Sequence, residues 1–180
     1  MSKGFTFIEL IIVIILLGIL TVSVSVKFPS LVSYNIPTQA SQVAQDIRYA
    51  QSLAMSSDQK VWIYFNTSNS TYQITTGTCG SGGTLVPNPT TGTTNPQLYT
   101  GISFHTSLTG NCLAFDSQGF PYQGTSTTPI TSNETVQLCP SSGCGGGGGG
   151  CSGGGGCGGP TTGCTVNIAY NTGYAYITCP

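Results

Sequence analysis

The feature that most constrains this chain is its first apolar run, FTFIELIIVIILLGILTVSVSV, which spans 22 residues from Phe5 to Val26. As a helix it would extend about 33 Å, enough to cross the hydrocarbon core of a bilayer once. Every residue in it is apolar, small or hydroxylated except Glu9. A carboxylate at the centre of such a helix costs roughly 2.5–3.5 kcal/mol, and less near an end. A cleaved secretory leader fits poorly. The apolar stretch from Leu10 to Val26 exceeds the ~7–15 residues of a signal peptide, and no A-x-A cleavage site ends it. Lys3 and Lys27 flank the segment, so charge says little about its orientation.

The rest of the chain is sparsely charged. Of 180 residues, 5% are Asp, Glu, Lys or Arg, with a formal net charge of −1, so no basic face is available for nucleic acid. Hydrophobic residues make up 38%, which is enough to build a core. Eight cysteines behind a membrane-type segment point to an oxidising compartment, and four bridges would allow 105 connectivities.

Beyond the apolar run, Pro29 and Pro37 argue against one uninterrupted helix from Lys27 to Pro37. From Thr38 to Ser57, Ala40, Val43, Ala44, Ile47, Ala50 or Gln51, and Ala54 recur at helical spacing with Gln, Asp46 and Arg48 opposite, which predicts an amphipathic helix lying on a sheet, with Thr38 as its N-cap. Lys60 to Asn66 and Thr71 to Thr76 read as a hairpin, and Cys79 to Asn95 as a loop. Further short strands are expected at Ile102 to His105, Cys112 to Phe115, Val136 to Cys139, Cys164 to Ala169 and Tyr174 to Cys179. The class is α+β: an N-terminal hydrophobic transmembrane helix, then an amphipathic helix on an antiparallel sheet. Gly18, within the apolar helix, suits either close packing between helices or a hinge.

An insert from Cys139 to Cys164 holds five of the eight cysteines in polyglycine and contains no His, Asp or Glu. Polyglycine loses much entropy on ordering and buries nothing, so cystines must staple it. The expected pairing is Cys139 with Cys164 at the base, with Cys144, Cys151 and Cys157 tied to one another or to Cys79, Cys112 or Cys179. The gaps are not those of structural zinc, so no metal site is expected, and no G-K-[ST] makes the run a phosphate loop.

Catalytic chemistry is thin. His105 is the single histidine, and a lone strand histidine reads as a surface or packing residue. Asp46 and Asp58 belong in or just after the helix, Asp116 and Glu134 in turns, and no carboxylate pair is visible. Trp62, Tyr64 and Phe65 read as core and sheet surface in preference to a sugar-binding platform. The sequons at Asn66, Asn69 and Asn133 serve as surface markers only.

GFTFIEL followed by an unbroken apolar run resembles the type IV prepilin signal. That resemblance implies cleavage by a prepilin peptidase between Gly4 and Phe5 and methylation of Phe5. RYAQSLAM (48–55), LAFDSQGFPY (113–122) and VNIAYNTGYAYI (166–177) are similar to minor pilins and pseudopilins of the GspH/FimT and MshC kind. The implied organisation is a leader over 1–4, a transmembrane and filament-core helix over 5–28, and a periplasmic or extracellular pilin-like domain over 29–180. The implied role is a structural subunit of a type IV pilus or type II secretion-like filament, without enzymatic activity or cofactor. Its partners would be other pilin subunits, the prepilin peptidase, the inner membrane and the filament assembly platform. A membrane-anchored adhesion module using the cystine-clamped loop is the alternative. Cleavage would create an amine on Phe5 one turn from Glu9, and two such charges are tolerable in an apolar bundle only when paired between neighbours, which sets axial register.

N-terminal sequencing and intact mass of the exported protein should show loss of MSKG and one methyl group on Phe5. A chain beginning at Met1, or cut after Val26, contradicts the reading.

Overall fold

The computed structural model describes residues 6–23, 31–98, 100–141 and 163–179. The chain forms two compact units, Met1–Ser30 and Leu31–Pro180. In the first, helix α1 runs from Phe7 to Ser23. The second begins with helix α2, Leu31–Ser57.

One stripe of α2 carries the fold. Ile36, Ala40, Val43, Ala44, Ile47, Ala50 and Ala54 recur every three or four residues and are completely buried. Four of these are alanine, which brings the helix backbone close to the strands beneath. The stripe starts a turn earlier than expected: α2 passes through Pro37, so Thr38 is an interior residue and not the N-cap. Proline inside a helix costs about 3 kcal/mol. Pro37 lies on the exposed side, and the buried Ile36 and Ala40 on either side of it hold both turns in place. Pro29 lies outside the described residues.

Beneath α2 the strands are antiparallel, as expected, but divided between two sheets. The first has the order β3-β2-β1-β5-β6, from β1 (Val61–Asn66), β2 (Thr71–Thr76), β3 (Thr84–Val86), β5 (Cys112–Phe115) and β6 (Pro121–Gln123). The second has the order β4-β7-β8-β9, from β4 (Ile102–Thr106), β7 (Glu134–Pro140), β8 (Cys164–Ile168) and β9 (Ala175–Thr178). Helix α2 packs on β1 and β5 of the first sheet and on β7, β8 and β9 of the second. Phe104 of β4 meets Phe65 and Tyr72 edge-on, with centroids 5.5 and 5.9 Å apart, and joins the sheets below the helix.

Two strands carry no pattern that the sequence would reveal. The stretch 79–95, expected as loop, contains a 3-10 turn at Gly80–Gly82 and β3, which exists by pairing with Ile74–Thr76. A side chain at Gly83 would come within 2.8 Å of the Thr76 carbonyl, so only glycine lets the chain double back there. Three-residue β6 likewise exists by pairing with β5. Glu134 opens β7 instead of sitting in a turn, and is buried, accepting a hydrogen bond from Ser107 Oγ at 2.5 Å.

A polar node fastens the loop after β3 to α2. Asp46, expected on the polar face opposite the sheet, is instead 1% exposed, and its carboxylate accepts a bond from the Tyr72 hydroxyl and one from Thr90 Oγ1 at 3.5 Å. Asn88, also buried, receives the Thr90 and Thr91 amides on Oδ1 at 2.8 and 3.1 Å. Burial raises the Asp46 carboxyl above its ordinary range, only partly offset by Tyr72, Asn88 and Thr90. Burial, then the neighbouring carboxylate, raises the Tyr72 hydroxyl.

For an acid whose folded pKa is raised, the folded chain binds the proton more tightly, so its contribution is full below the unfolded value near 3.9 and is lost as pH rises through the folded value. Denaturation of the full-length protein in detergent should therefore show wild type losing stability relative to Asp46→Asn as pH climbs from about 4 toward 7. A difference that does not vary with pH contradicts a buried charge at this position. Asp46→Ala, which orphans the Tyr72 hydroxyl, should cost about 1–3 kcal/mol.

Candidate functional site

Helix α1 begins where the Thr6 carbonyl accepts the Glu9 and Leu10 amides at 3.1 and 3.3 Å. Glu9 lies in the first turn, where a carboxylate meets the positive end of the helix dipole. Thr6 and Glu9 also have the spacing of a capping box, a signal that sequence reading passed over. Around them the helix is apolar on every side: Phe7 is 80% exposed, and Ile8, Leu10, Ile12 to Leu17 are each about half exposed or more. Taking any one of these side chains out of water is worth about 1.5–3 kcal/mol, so α1 must be covered by lipid or protein. Among the described residues no helix is long and apolar enough to cross a membrane. The span expected from Phe5 to Val26 is described as helix only over Phe7–Ser23, and Gly4, Phe5 and residues 24–26 lie outside the described residues. Among the described residues a Cβ on Gly18 would meet nothing within 4 Å.

A second site joins α2 to both sheets. Gln51 Nε2 donates to the Gly119 carbonyl at 2.9 Å and to the Thr172 carbonyl at 2.6 Å. These carbonyls belong to the turns that close β5–β6 and β8–β9. One turn earlier, Arg48 donates from Nε and Nη2 to the Ala175 carbonyl at 2.9 and 2.6 Å, with its guanidinium 4.7 Å from the centre of the Tyr174 ring. Asp116 shapes the first turn: its Oδ1 accepts the Gln118 and Phe120 amides at 3.0 and 2.8 Å, and its Oδ2 the Tyr122 hydroxyl at 2.8 Å. That hydrogen bond is the main cause of a raised Tyr122 pKa. Asp116 is thus a turn residue, as expected, and Gly119 in the same turn adopts φ +84°. Gly173, at φ +67°, leaves no room: a Cβ would lie 2.7 Å from Gln51 Nε2 and 2.8 Å from both the Gly119 carbonyl and Phe115. The three phrases RYAQSLAM, LAFDSQGFPY and VNIAYNTGYAYI therefore meet at one clamp held by Gln51, which the helical spacing offered only as an alternative to Ala50 on the buried stripe.

The cystines correct the expected pairing. Cys79 bonds Cys112, with Cα atoms 6.4 Å apart, and Cys164 bonds Cys179, at 4.4 Å. Cys139 cannot close the insert onto Cys164 because Leu138 is the residue opposite Cys164, and one step along a strand turns a side chain to the other face. Thr165 pairs with Thr178, which sets Cys179 directly beside Cys164. Closing a loop of this length is worth about 3 kcal/mol. Neither Cys79, Cys112 nor Cys179 is tied to the tip of the insert. Cys139 is also disulfide-bonded, and Cys144, Cys151 and Cys157 lie outside the described residues. His105 is exposed on edge strand β4. Among the described residues no three His, Cys, Asp or Glu side chains group as metal ligands would.

Comparison with known proteins agrees with this geometry. Residues 39–143 match the family model described as type II transport protein GspH, and residues 1–25 match the prokaryotic N-terminal methylation motif. No curated protein sequence matches the chain. Among solved structures, the minor pseudopilin EpsH from the type 2 secretion system of Vibrio cholerae superposes with a TM-score of 0.54 at 15% identity, over 81% of this chain and 98% of that one. The type IV minor pilin FimU of Pseudomonas aeruginosa gives 0.51 at 16% identity, over 82% and 89%. Those likenesses establish the shared fold. The chain belongs to the GspH family, a family of structural pilin-like subunits and not of enzymes.

Gln51→Ala removes a donor shared by two turns and should lower the unfolding free energy of the full-length protein in urea by about 1–2 kcal/mol. Gly173→Ala should cost at least about 1–3 kcal/mol through overpacking and a strained φ. The double variant should be less destabilised than the sum, because removing Gln51 relieves one clash. An unchanged urea midpoint for Gln51→Ala means the clamp contributes nothing.

Proposed function

We propose that this subunit enters a type II secretion pseudopilus or type IV pilus through α1, after a prepilin peptidase cuts between Gly4 and Phe5 and the new Phe5 amine is methylated. Before assembly it sits in the inner membrane with residues 29–180 on the periplasmic side, and the assembly platform draws it into the filament. The observation that carries this reading is Glu9 in the first turn of a helix whose apolar side chains are exposed all round. Lipid can cover such a helix without a carboxylate. A bundle of related helices gives the carboxylate a purpose, since the Phe5 amine of one subunit neutralises Glu9 of the next and a slip in register leaves both charges buried and unpaired.

The reading separates charge from shape. Glu9→Gln keeps the side chain's size and its place in the first turn but removes the charge, stranding a neighbour's amine at a cost of about 3–5 kcal/mol. Recovery of this subunit with sheared or purified filaments should fall by about a hundredfold or more, with membrane levels unchanged. Incorporation equal to wild type means Glu9 sets no register.

A further inference from the structure

Apart from the assembly helix, the five-stranded sheet presents a built concavity on the face away from α2. Strand alternation buries Val61, Ile63 and Phe65 and turns Trp62, Tyr64 and Asn66 outward, each half-buried. We infer that this outer face of β1 is a binding groove for a neutral oligosaccharide.

Its main hollow is about 680 Å³, floored by Tyr64, Asn66 and Gln73. One wall is Gly80 beside the Cys79–Cys112 cystine; the other is Thr109 and Gly110. A smaller hollow of about 120 Å³ adjoins it through Cys79 and Thr125 and reaches Trp62 and Lys60. Lys60 to Asn66 spans about 20 Å of strand, the reach of an oligosaccharide and longer than one sugar ring.

The chemistry of the lining selects the ligand. No described residue lining the main hollow carries a formal charge, so nothing among them repays the desolvation of an anion or a cation. Lys60, at the far end, is engaged, with Nζ 3.7 Å from the centre of the Tyr122 ring. Aromatic faces suit the C–H faces of pyranose rings, and the amides of Asn66 and Gln73 suit hydroxyls that both donate and accept. Asn66 Oδ1 already holds the Ser68 and Asn69 amides at 3.1 and 3.2 Å, which fixes the amide in place. An added peptide strand has nothing to pair with, because β1 is hydrogen-bonded to β2 on one side and β5 on the other.

The walls are also held before a ligand arrives. The Cys79–Cys112 cystine anchors the turn at Gly80, the Thr109 amide and hydroxyl both bond Gln123 Oε1 at 3.2 and 3.1 Å, and the Gly124 amide bonds the Cys112 carbonyl at 2.9 Å. Glycine at 80 and 110 leaves the rim open: a Cβ at Gly110 would meet nothing within 4 Å. The sequence favours Trp62, Tyr64 and Phe65 as core and sheet surface over a sugar-binding platform; Phe65 is core, Trp62 and Tyr64 lie on the sheet surface, and the groove proposed here departs from that preference. The facing walls, which come from segments 80 and 109–125, are what the sequence does not show.

Trp62 is the chain's one tryptophan, so its fluorescence reports on the groove directly. Full-length protein in a detergent without a sugar headgroup would be titrated with cellohexaose, maltohexaose and chitohexaose to about 10 mM, at which a ligand of 1 mM Kd occupies some nine-tenths of sites. At least one of these should shift or quench the emission saturably. Tyr64→Ala should weaken that binding by about tenfold or more. Gly110→Asn, a residue that tolerates positive φ and projects into the open rim, should do the same without lowering the melting temperature. Tyr176→Ala, on the other sheet, should bind as wild type. Absence of saturation by all three sugars overturns the proposal, as does equal binding by the Gly110→Asn variant, or saturation by an uncharged Ser/Thr-rich peptide in place of any sugar.

Discussion

A helix that is apolar on every side and carries one carboxylate in its first turn is not satisfied by the described residues of its own chain. From Phe7 to Leu17 all the apolar side chains but the half-buried Ile11 are exposed, and no packing within the described residues removes them from water. Lipid satisfies the apolar part and leaves Glu9 expensive. A bundle of like helices satisfies both, provided each carboxylate finds a cation at the same depth. The other parts of the molecule can then be understood as what such a helix displays.

What it displays is held together by a second helix with the opposite character. Helix α2 is narrow and alanine-rich where it touches the sheets, and it fastens their turns with two long polar side chains. Gln51 and Arg48 hold three backbone carbonyls from the β5–β6 and β8–β9 hairpins, so one helix face fixes how two separate sheets meet. Tyr72 and Asp46 repeat the device at the other side of the stripe, with a buried carboxyl that pays in stability as pH rises. The outer face of the five-stranded sheet is left free of these duties, and that is where the aromatic groove lies.

The residues most legible in the sequence were those whose pattern is local. β2 and β5 fall on the expected residues because alternation and flanking turn residues mark them, and the alanine spacing marks α2. Three kinds of feature were not legible. Pro37 was read as a boundary, whereas the burial of Ile36 and Ala40 overrides its local cost. Strands β3 and β6 exist through their partners and have no pattern of their own. The Cys139 and Cys164 pairing failed on a single step of register, which spacing along the chain cannot reveal. At the candidate sites, Glu9 stood out because it is chemically foreign to its surroundings. Gln51 did not, since its role depends on two carbonyls 68 and 121 residues away.

The central claim concerns two atoms, the amine nitrogen of one subunit and the Glu9 carboxyl of its neighbour. Solid-state NMR can measure their separation in assembled filaments in which this chain carries ¹³C-labelled glutamate and its neighbours carry ¹⁵N at their terminal amine, so that every transfer is between molecules. The account predicts dephasing at the Glu9 carboxyl that corresponds to a separation of about 4 Å or less. Filaments that contain the chain but show no intermolecular dephasing at Glu9 would contradict it.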